Sequence, residues 1–152
     1  NTNQRERAVY HTYSFNTECF MKVIIIEDEK AAVRNLKALL QEVKPEVEVE
    51  ATLDSIAAVL DWFAIYSMPD MIFMDIHMPV MDGFAATKNI RKIPGKGADR
   101  IPIIAMTADA FEEDILRCKN AGMNAHIPKP INMERVFEVI RSYWGEESEE
   151  VK

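Results

Sequence analysis

Between Lys22 and Trp144, short apolar runs alternate with longer segments whose apolar residues recur every three or four positions. Val23-Ile24-Ile25-Ile26 is a continuous β-branched run, the pattern of a strand buried on both faces. Ala31, Val33, Leu36, Leu39, Leu40 and Val43 follow at helical spacing until Pro45, which cannot continue a helix. Val47, Val49 and Ala51 alternate with Glu46, Glu48 and Glu50, as a half-exposed edge strand requires. Asp54 or Ser55 can cap a second helix to about Ala64, with Ile56, Val59, Leu60 and Phe63 on one face. Pro69-Asp70 leads into a third buried strand, Met71 to Met74. A shorter helix at Ala85 to Arg91 is followed by a loop at Pro94-Gly95-Lys96-Gly97. Pro102 to Met106 reads as a fourth strand, Phe111 to Asn120 as a fourth helix ended by Gly122, and Ala125 to Ile127 as a fifth strand. Asn132 caps a last helix with Val136, Phe137, Val139, Ile140 and Tyr143 as its apolar stripe.

Five strand-then-helix units predict an α/β fold, a doubly wound five-stranded parallel sheet with helices on both faces. Right-handed crossovers leave few topologies, and at this size the flavodoxin-like (βα)5 arrangement, strand order 2-1-3-4-5, is the natural one. Ligands in such sheets bind beyond the carboxyl ends of the strands.

Composition narrows the class further. The chain has 152 residues, 48% hydrophobic and 28% charged, which suits a single globular domain and excludes a disordered one. Its apolar runs are too short for a spanning helix, so a membrane segment is not expected. The net charge of −7 argues against direct nucleic-acid binding, which wants clustered Lys and Arg. Cys19 and Cys118 form neither a disulfide framework nor a metal spacing, and the expected setting is cytoplasmic. Residues 1–20 lack a sustained apolar period and balance Arg5 and Arg7 against Glu6 and Glu18. They read as a linker, an upstream remnant or an added segment. Residues 145–152, with Glu146, Glu147, Glu149 and Glu150, read as an acidic tail, which leaves 21–144 as the working domain.

The polar residues gather where the fold would place a ligand. The first strand ends in Glu27-Asp28-Glu29, the third in Asp75-Ile76-His77, the fourth in Thr107-Ala108-Asp109 and the fifth in Pro128-Lys129-Pro130. Crowded carboxylates need a counter-charge, and hard oxygen ligands suit Mg²⁺. A lysine and a hydroxyl beside them suit the oxygens of a phosphoryl group. Each residue also has a plainer reading. Asp28 or Glu29 serves equally well as a helix cap, Asp75 as a turn former, Thr107 as a cap of the fourth helix and Lys129 as a solvated loop residue. Together the four strand ends favour a site.

This ordered set, with Pro79 and Gly83 after the third strand, resembles the receiver (response regulator) domain of two-component signalling. The resemblance spans Lys22 to Trp144 and is similar to stand-alone receivers and those of hybrid histidine kinases. It implies that Asp75 accepts a phosphoryl group from a histidine kinase or a histidine phosphotransfer domain, with Thr107 and Lys129 holding the phosphoryl oxygens. It also implies a Mg²⁺ site, open to Mn²⁺, built from Glu27, Asp28, Asp75 and the His77 backbone carbonyl. Glu27 is one methylene longer than the aspartate often found there and reaches the metal differently. His77 and Asp109 are implied at the rim, where they tune the access of hydrolytic water. His126 occupies the position of an aromatic switch side chain, with a surface-facing strand residue as the equal alternative. Gly83 is expected in a turn unfavourable to a Cβ, and Lys129-Pro130 as a cis bond. The face of helix 4, strand 5 and helix 5 is implied as the output surface and a possible homodimer contact. The domain is expected to transfer phosphate only onto and off itself.

Two rivals differ in class. A phosphatase of the haloacid dehalogenase type also uses a strand-end aspartate, but it wants a second aspartate where His77 stands. A phosphorylation-independent receiver-like module usually lacks a metal acid, the acceptor or the lysine, and this chain has all of them. The stretch from Ile103 to Ala110 resembles receivers of hybrid kinases, whereas Val23 to Asp28 and Asp75-Ile76-His77 look closer to regulators carrying a DNA-binding effector. The segment after Trp144 is too short for such an effector, so a stand-alone receiver or a piece of a longer chain is expected.

Overall fold

The computed structural model describes residues 20–79, 82–108 and 111–144. The strands are β1 (Met21–Ile26), β2 (Val47–Leu53), β3 (Met71–Asp75), β4 (Ile103–Thr107) and β5 (Ala125–Pro128). The helices are α1 (Lys30–Val43), α2 (Ile56–Ile65), α3 (Gly83–Arg91), α4 (Glu112–Ala121) and α5 (Met133–Trp144). All neighbouring strands pair in parallel, in the order β2-β1-β3-β4-β5, as expected. Among the described residues no helix is long and apolar enough to cross a membrane. The flanking segments 1–19 and 145–152 lie outside the described residues.

Strand alternation divides the apolar residues between two cores. Ile24, Ile26, Ile72, Met74, Ile103 and Ala105 pack with Val59 and Phe63 of α2, Ile90 of α3 and Cys118 of α4. Val23, Ile25, Phe73, Ile104 and Ile127 pack on the other side with Leu36 and Leu40 of α1 and Val136, Val139 and Ile140 of α5. The β-branched run of β1 is fully buried because both of its faces meet a core. Edge strand β2 alternates as expected only over Val47 to Val49; a register shift then skips Glu50, which is half-buried, and turns Ala51 and Leu53 toward the α2-side core rather than the one that Val47 and Val49 meet.

The helices depart from expectation in a few local ways. Of the two candidate caps of α2, Ser55 is the one used, its hydroxyl accepting from the Ala58 N–H at 3.1 Å, and this end agrees with expectation. Helix α3 starts at Gly83 rather than Ala85, because the Asp82 carboxylate accepts from the Phe84 N–H at 2.9 Å. Phe137 and Tyr143, expected on the buried stripe of α5, are exposed, as is Leu60 of α2. Val136, Val139 and Ile140 already supply the α5 face that meets the sheet, and the Tyr143 hydroxyl instead donates to the Asn124 carbonyl at 3.0 Å.

Gly83 also differs in cause. It is not among the glycines with positive φ. A Cβ there would lie 2.8 Å from both the Asp75 carbonyl oxygen and the Ile76 Cα, so the residue is needed for close approach of α3 to the end of β3. Both obstacles are backbone and cannot swing aside. Gly83→Ala is expected to lower stability by about 2–3 kcal/mol in urea denaturation, moving the midpoint with little change in slope.

Candidate functional site

Parallel register brings the ends of β1, β3, β4 and β5 to one edge. Ile26 pairs with Met74, Asp75 with Met106 and Thr107 with Pro128, so Glu27, Asp75, Thr107 and Lys129 leave the sheet together. Glu27 and Asp75 are 4% exposed and Thr107 is fully buried, while Asp28 is exposed at the rim. The Lys129 Nζ lies between the two acids, 3.0 Å from Glu27 Oε2 and 3.2 Å from Asp75 Oδ2. Their other oxygens are held by backbone. Glu27 Oε1 accepts from the Glu29 N–H at 3.1 Å, and Asp75 Oδ1 accepts from the His77 N–H at 2.9 Å. The Lys129 N–H donates to the Thr107 carbonyl at 2.6 Å, and the Lys129-Pro130 peptide is cis, as expected.

The turn-former reading of Asp75 is met by its bond from the His77 N–H two residues on, while the plainer readings of Glu29, Thr107 and Lys129 are not. Glu29 sits at the N-cap of α1 without a side-chain bond, and Phe111 rather than Thr107 precedes α4. The Lys129 side chain is 25% exposed and ion-paired to two carboxylates rather than solvated. Thr107 Oγ1 is buried with no hydrogen-bond partner among the described residues. A buried hydroxyl without a partner costs free energy, about 1–3 kcal/mol, and is ready to bond a group that enters the site.

Charge in the site is unbalanced. Burial, aided by the like charge of Asp75, raises the Glu27 pKa despite bonds from the Glu29 N–H and Lys129. Burial alone would lower the Lys129 pKa, but the Glu27 hydrogen bond and the charges of Asp75 and Glu27 outweigh it, and the net direction is up. Both shifts favour added positive charge. Glu27, Asp28 and Asp75 each present a carboxylate oxygen, all within 4.8 Å of one another. Hard oxygen donors with surplus negative charge fit Mg²⁺. Protons compete with such a cation, and the raised Glu27 pKa moves that competition above the ordinary glutamate range. Mg²⁺ affinity, followed by titration calorimetry, is therefore expected to fall as the solution is made more acid.

The flanking residues define the rim. His77 is exposed and lines a cavity of about 380 Å³ with Met78, Pro79, Asp82, Phe84 and Arg117. A second cavity of about 430 Å³ opens on the α1 side, lined by Asp28, Lys30, Arg34 and Asp54 among others. His126 is half-buried on β5, beside Ala105, and its carbonyl accepts from Arg135 Nη2 at 3.3 Å. Asp109 lies outside the described residues. Asp82 and Arg117 were not singled out from the sequence. An acid directly before a glycine that opens a helix was the available signal for Asp82, whereas Arg117 reaches the rim only through the packing of α4.

Comparison with known proteins agrees with this geometry. Residues 23–141 match the response regulator receiver domain family. The chain is 38% identical over 124 residues to hybrid signal transduction histidine kinase L of Dictyostelium discoideum, covering 80% of this chain and 7% of that protein. It is 33% identical over 130 residues to probable histidine kinase 2 of Oryza sativa subsp. indica, covering 79% and 12%. It thus spans only a small part of the curated relatives it matches. Among solved structures, the receiver domain of a Pseudomonas aeruginosa sensor histidine kinase, with a magnesium ion coordinated in its active site cleft, superposes with a TM-score of 0.70 at 27% identity. That match covers 82% of this chain and 98% of the other. A chemotaxis response regulator of Vibrio cholerae gives the same TM-score and coverages at 25% identity. Acids at the ends of β1 and β3, a lysine after β5 and this sheet order coincide with a sequence match over most of the chain, and the protein belongs to the receiver domain family of two-component signalling, whose members are phosphoacceptor switches.

Proposed function

We propose that Asp75 is the phosphoacceptor of this receiver, loaded by a histidine kinase or a histidine phosphotransfer domain, and that the domain works in the cytoplasm as residues 21–144. The observation that carries this reading is Lys129, whose Nζ bridges Glu27 and Asp75. Asp75 must be ionised to attack phosphorus, and its Oδ2 lies 3.2 Å from the Lys129 ammonium. One Asp75 oxygen forms the new O–P bond while the N–P bond of the donor imidazole breaks. The Lys129 ammonium neutralises charge on the transferred oxygens, and the unpartnered Thr107 hydroxyl donates to one of them. Glu27, Asp28, Asp75 and the His77 carbonyl would hold Mg²⁺, or Mn²⁺ in its place, which shields the attacking carboxylate from the anionic phosphoryl group. His77 and Asp109 tune later hydrolysis from the rim, so the only reactions are phosphorylation and dephosphorylation of the domain itself.

Occupying the Thr107 hydroxyl draws on the β4–α4 connection, His126 follows on β5, and the face of α4, β5 and α5 is re-populated. Exposed Phe111, Leu116 and Phe137 on or beside that face supply apolar surface for a partner or a second copy of the chain. Incubation with acetyl phosphate and Mg²⁺ tests the central claim. The expected product is a phosphoprotein whose label is lost in hydroxylamine, as an acyl phosphate is. Label that survives hydroxylamine, or none at all, would sink the reading.

A further inference from the structure

Helix α2 covers its part of the sheet but has almost no polar side to turn to water. Among its ten residues, Ile56-Ala57-Ala58-Val59-Leu60-Asp61-Trp62-Phe63-Ala64-Ile65, only Asp61 is charged. A surface helix ordinarily sets an apolar stripe against a polar face. Helix α1 does so, with Leu36 and Leu40 buried and Arg34, Lys37 and Gln41 exposed. On α2 the stripe that meets the sheet is Val59 and Phe63, with Ile56 and Trp62 packed beside them. The opposite side consists of Ala57, Leu60, Asp61, Ala64 and Ile65, all exposed. Leu60 is 40% exposed, Ile65 75%, and Tyr66 just past the helix 48%. Contiguous apolar surface of this kind on a soluble domain marks a contact site.

Spacing and charge define what fits there. The five residues fall at i, i+3, i+4, i+7 and i+8, so they share one face along the whole helix. Ala57 and Ala64 stand one heptad apart and leave shallow positions beside the larger Leu60 and Ile65, a relief into which the side chains of a second helix insert. An added strand would need free backbone groups, which the middle of a helix does not offer. Asp61 sits at the centre of the face and makes no ion pair among the described residues. A second copy of the chain is a poor occupant, because an isologous contact centred here sets Asp61 against its own counterpart. A base in that position turns the same charge to advantage.

The platform is also ordered before any partner arrives. Ser55 caps its N-terminus, accepting from the Ala58 N–H at 3.1 Å. At the other end Lys96, from the α3–β4 loop, donates through Nζ to the carbonyls of Phe63 and Tyr66, the latter at 3.2 Å. The Trp62 and Tyr66 rings stack with centroids 4.0 Å apart. A face held this way loses little conformational freedom on binding.

We propose that the exposed face of α2 is a docking site for an amphipathic helix of a partner protein, whose apolar stripe carries one Lys or Arg opposite Asp61. The contact needs no phosphoryl group and does not depend on Asp75 being the acceptor. Ten residues give a face about 15 Å long, so the contact is small and its affinity modest.

A stapled helical peptide of about 18 residues, with a leucine stripe and one central arginine in it, serves as the probe, beside a twin with glutamate in place of arginine. Each is titrated into the ¹⁵N-labelled chain and followed by amide chemical shifts. The arginine peptide is expected to shift the amides from Ala57 to Tyr66 and to bind at least about fivefold tighter than its twin. Asp61→Lys is expected to reverse that preference, and Ile65→Ser to weaken both peptides by at least about threefold. Both positions are exposed, so neither change threatens the fold. No binding by either peptide up to about 1 mM overturns the docking site. Shifts confined to Phe111, Leu116 and Phe137, or wild-type binding by Ile65→Ser, do the same. Equal affinity for the two peptides, or an unchanged preference in Asp61→Lys, overturns the role of Asp61. Concentration-dependent shifts of the α2 amides without peptide would place a second copy on the face and overturn the assignment of a different partner.

Discussion

Asp75→Asn is expected to reduce phosphoryl uptake from acetyl phosphate by at least about 10³-fold while the domain stays folded. The amide keeps the shape of the side chain and can still accept from the His77 N–H, which the carboxylate does at 2.9 Å. It has no charged oxygen with which to attack phosphorus. The same change removes one of two buried acids that share a single ammonium, since Lys129 lies 3.0 Å from Glu27 and 3.2 Å from Asp75. Relief of that crowding is expected to raise stability in Mg²⁺-free buffer by about 1 kcal/mol. The gain that Mg²⁺ gives the wild-type protein, about 1.4 kcal/mol at ten times Kd, should largely vanish because a ligand has been lost. Thermal melts with and without Mg²⁺, beside an intact-mass assay of labelling, separate these effects. Persistent labelling of the variant would place the acceptor elsewhere.

Lys129→Met should act in the opposite direction on stability. Met fills similar volume but leaves Glu27 and Asp75, with side chains 1% and 5% exposed, facing each other without a cation. Removing one partner of a buried pair costs about 3–5 kcal/mol; with Lys129 itself 25% exposed, about 2 kcal/mol is the expected loss near neutral pH. The sign with pH follows from Glu27, whose pKa is raised by burial already in the wild-type site. A carboxyl with a folded pKa above its unfolded value stabilises when protonated, and that contribution is lost as pH rises through the folded pKa. Without the ammonium the shift grows. The deficit of Lys129→Met should therefore be smaller in acid than in neutral or alkaline buffer, and Mg²⁺ should recover part of it. Labelling should fall by about 10²-fold, because the charge on the transferred oxygens loses its partner. A variant as stable as wild type at pH 8 without Mg²⁺ would show that Lys129 does not balance the acids.

Much of the fold is written locally along the chain. A four-residue β-branched run, an alternating Val–Glu segment and helices with apolar residues every three or four positions each carry their own period, so strand type and the edge position of β2 could be read locally, while strand order followed from crossover handedness and chain length. Acids and a lysine directly after strands were legible for the same reason, since the carboxyl ends of a parallel sheet share one edge. Helix starts were less so. Asp82 moved the start of α3 by a single capping bond, which competes with equally good local alternatives.

Other features exist only once distant elements meet. The Lys129–Glu27 pair spans 102 positions, and nothing near either residue encodes it. Gly83 is needed because the backbone of Asp75 and Ile76 comes within 2.8 Å of where a Cβ would stand, a collision between elements rather than a turn angle. Thr107 becomes a buried hydroxyl without a partner only when β4 is covered from both sides. Arg91 ends a short helix in the sequence, yet three backbone carbonyls, of Ala98, Ile101 and Gly122, and the Asn124 side-chain oxygen converge on it from the segments that precede β4 and β5. By itself the sequence determined which segments form the sheet and which residue types end each strand, because those follow from local period and steric preference. The tertiary structure decided which of those residues share a charge, a clash or a hydrogen bond, because such energies depend on distances in space that the order of residues does not contain.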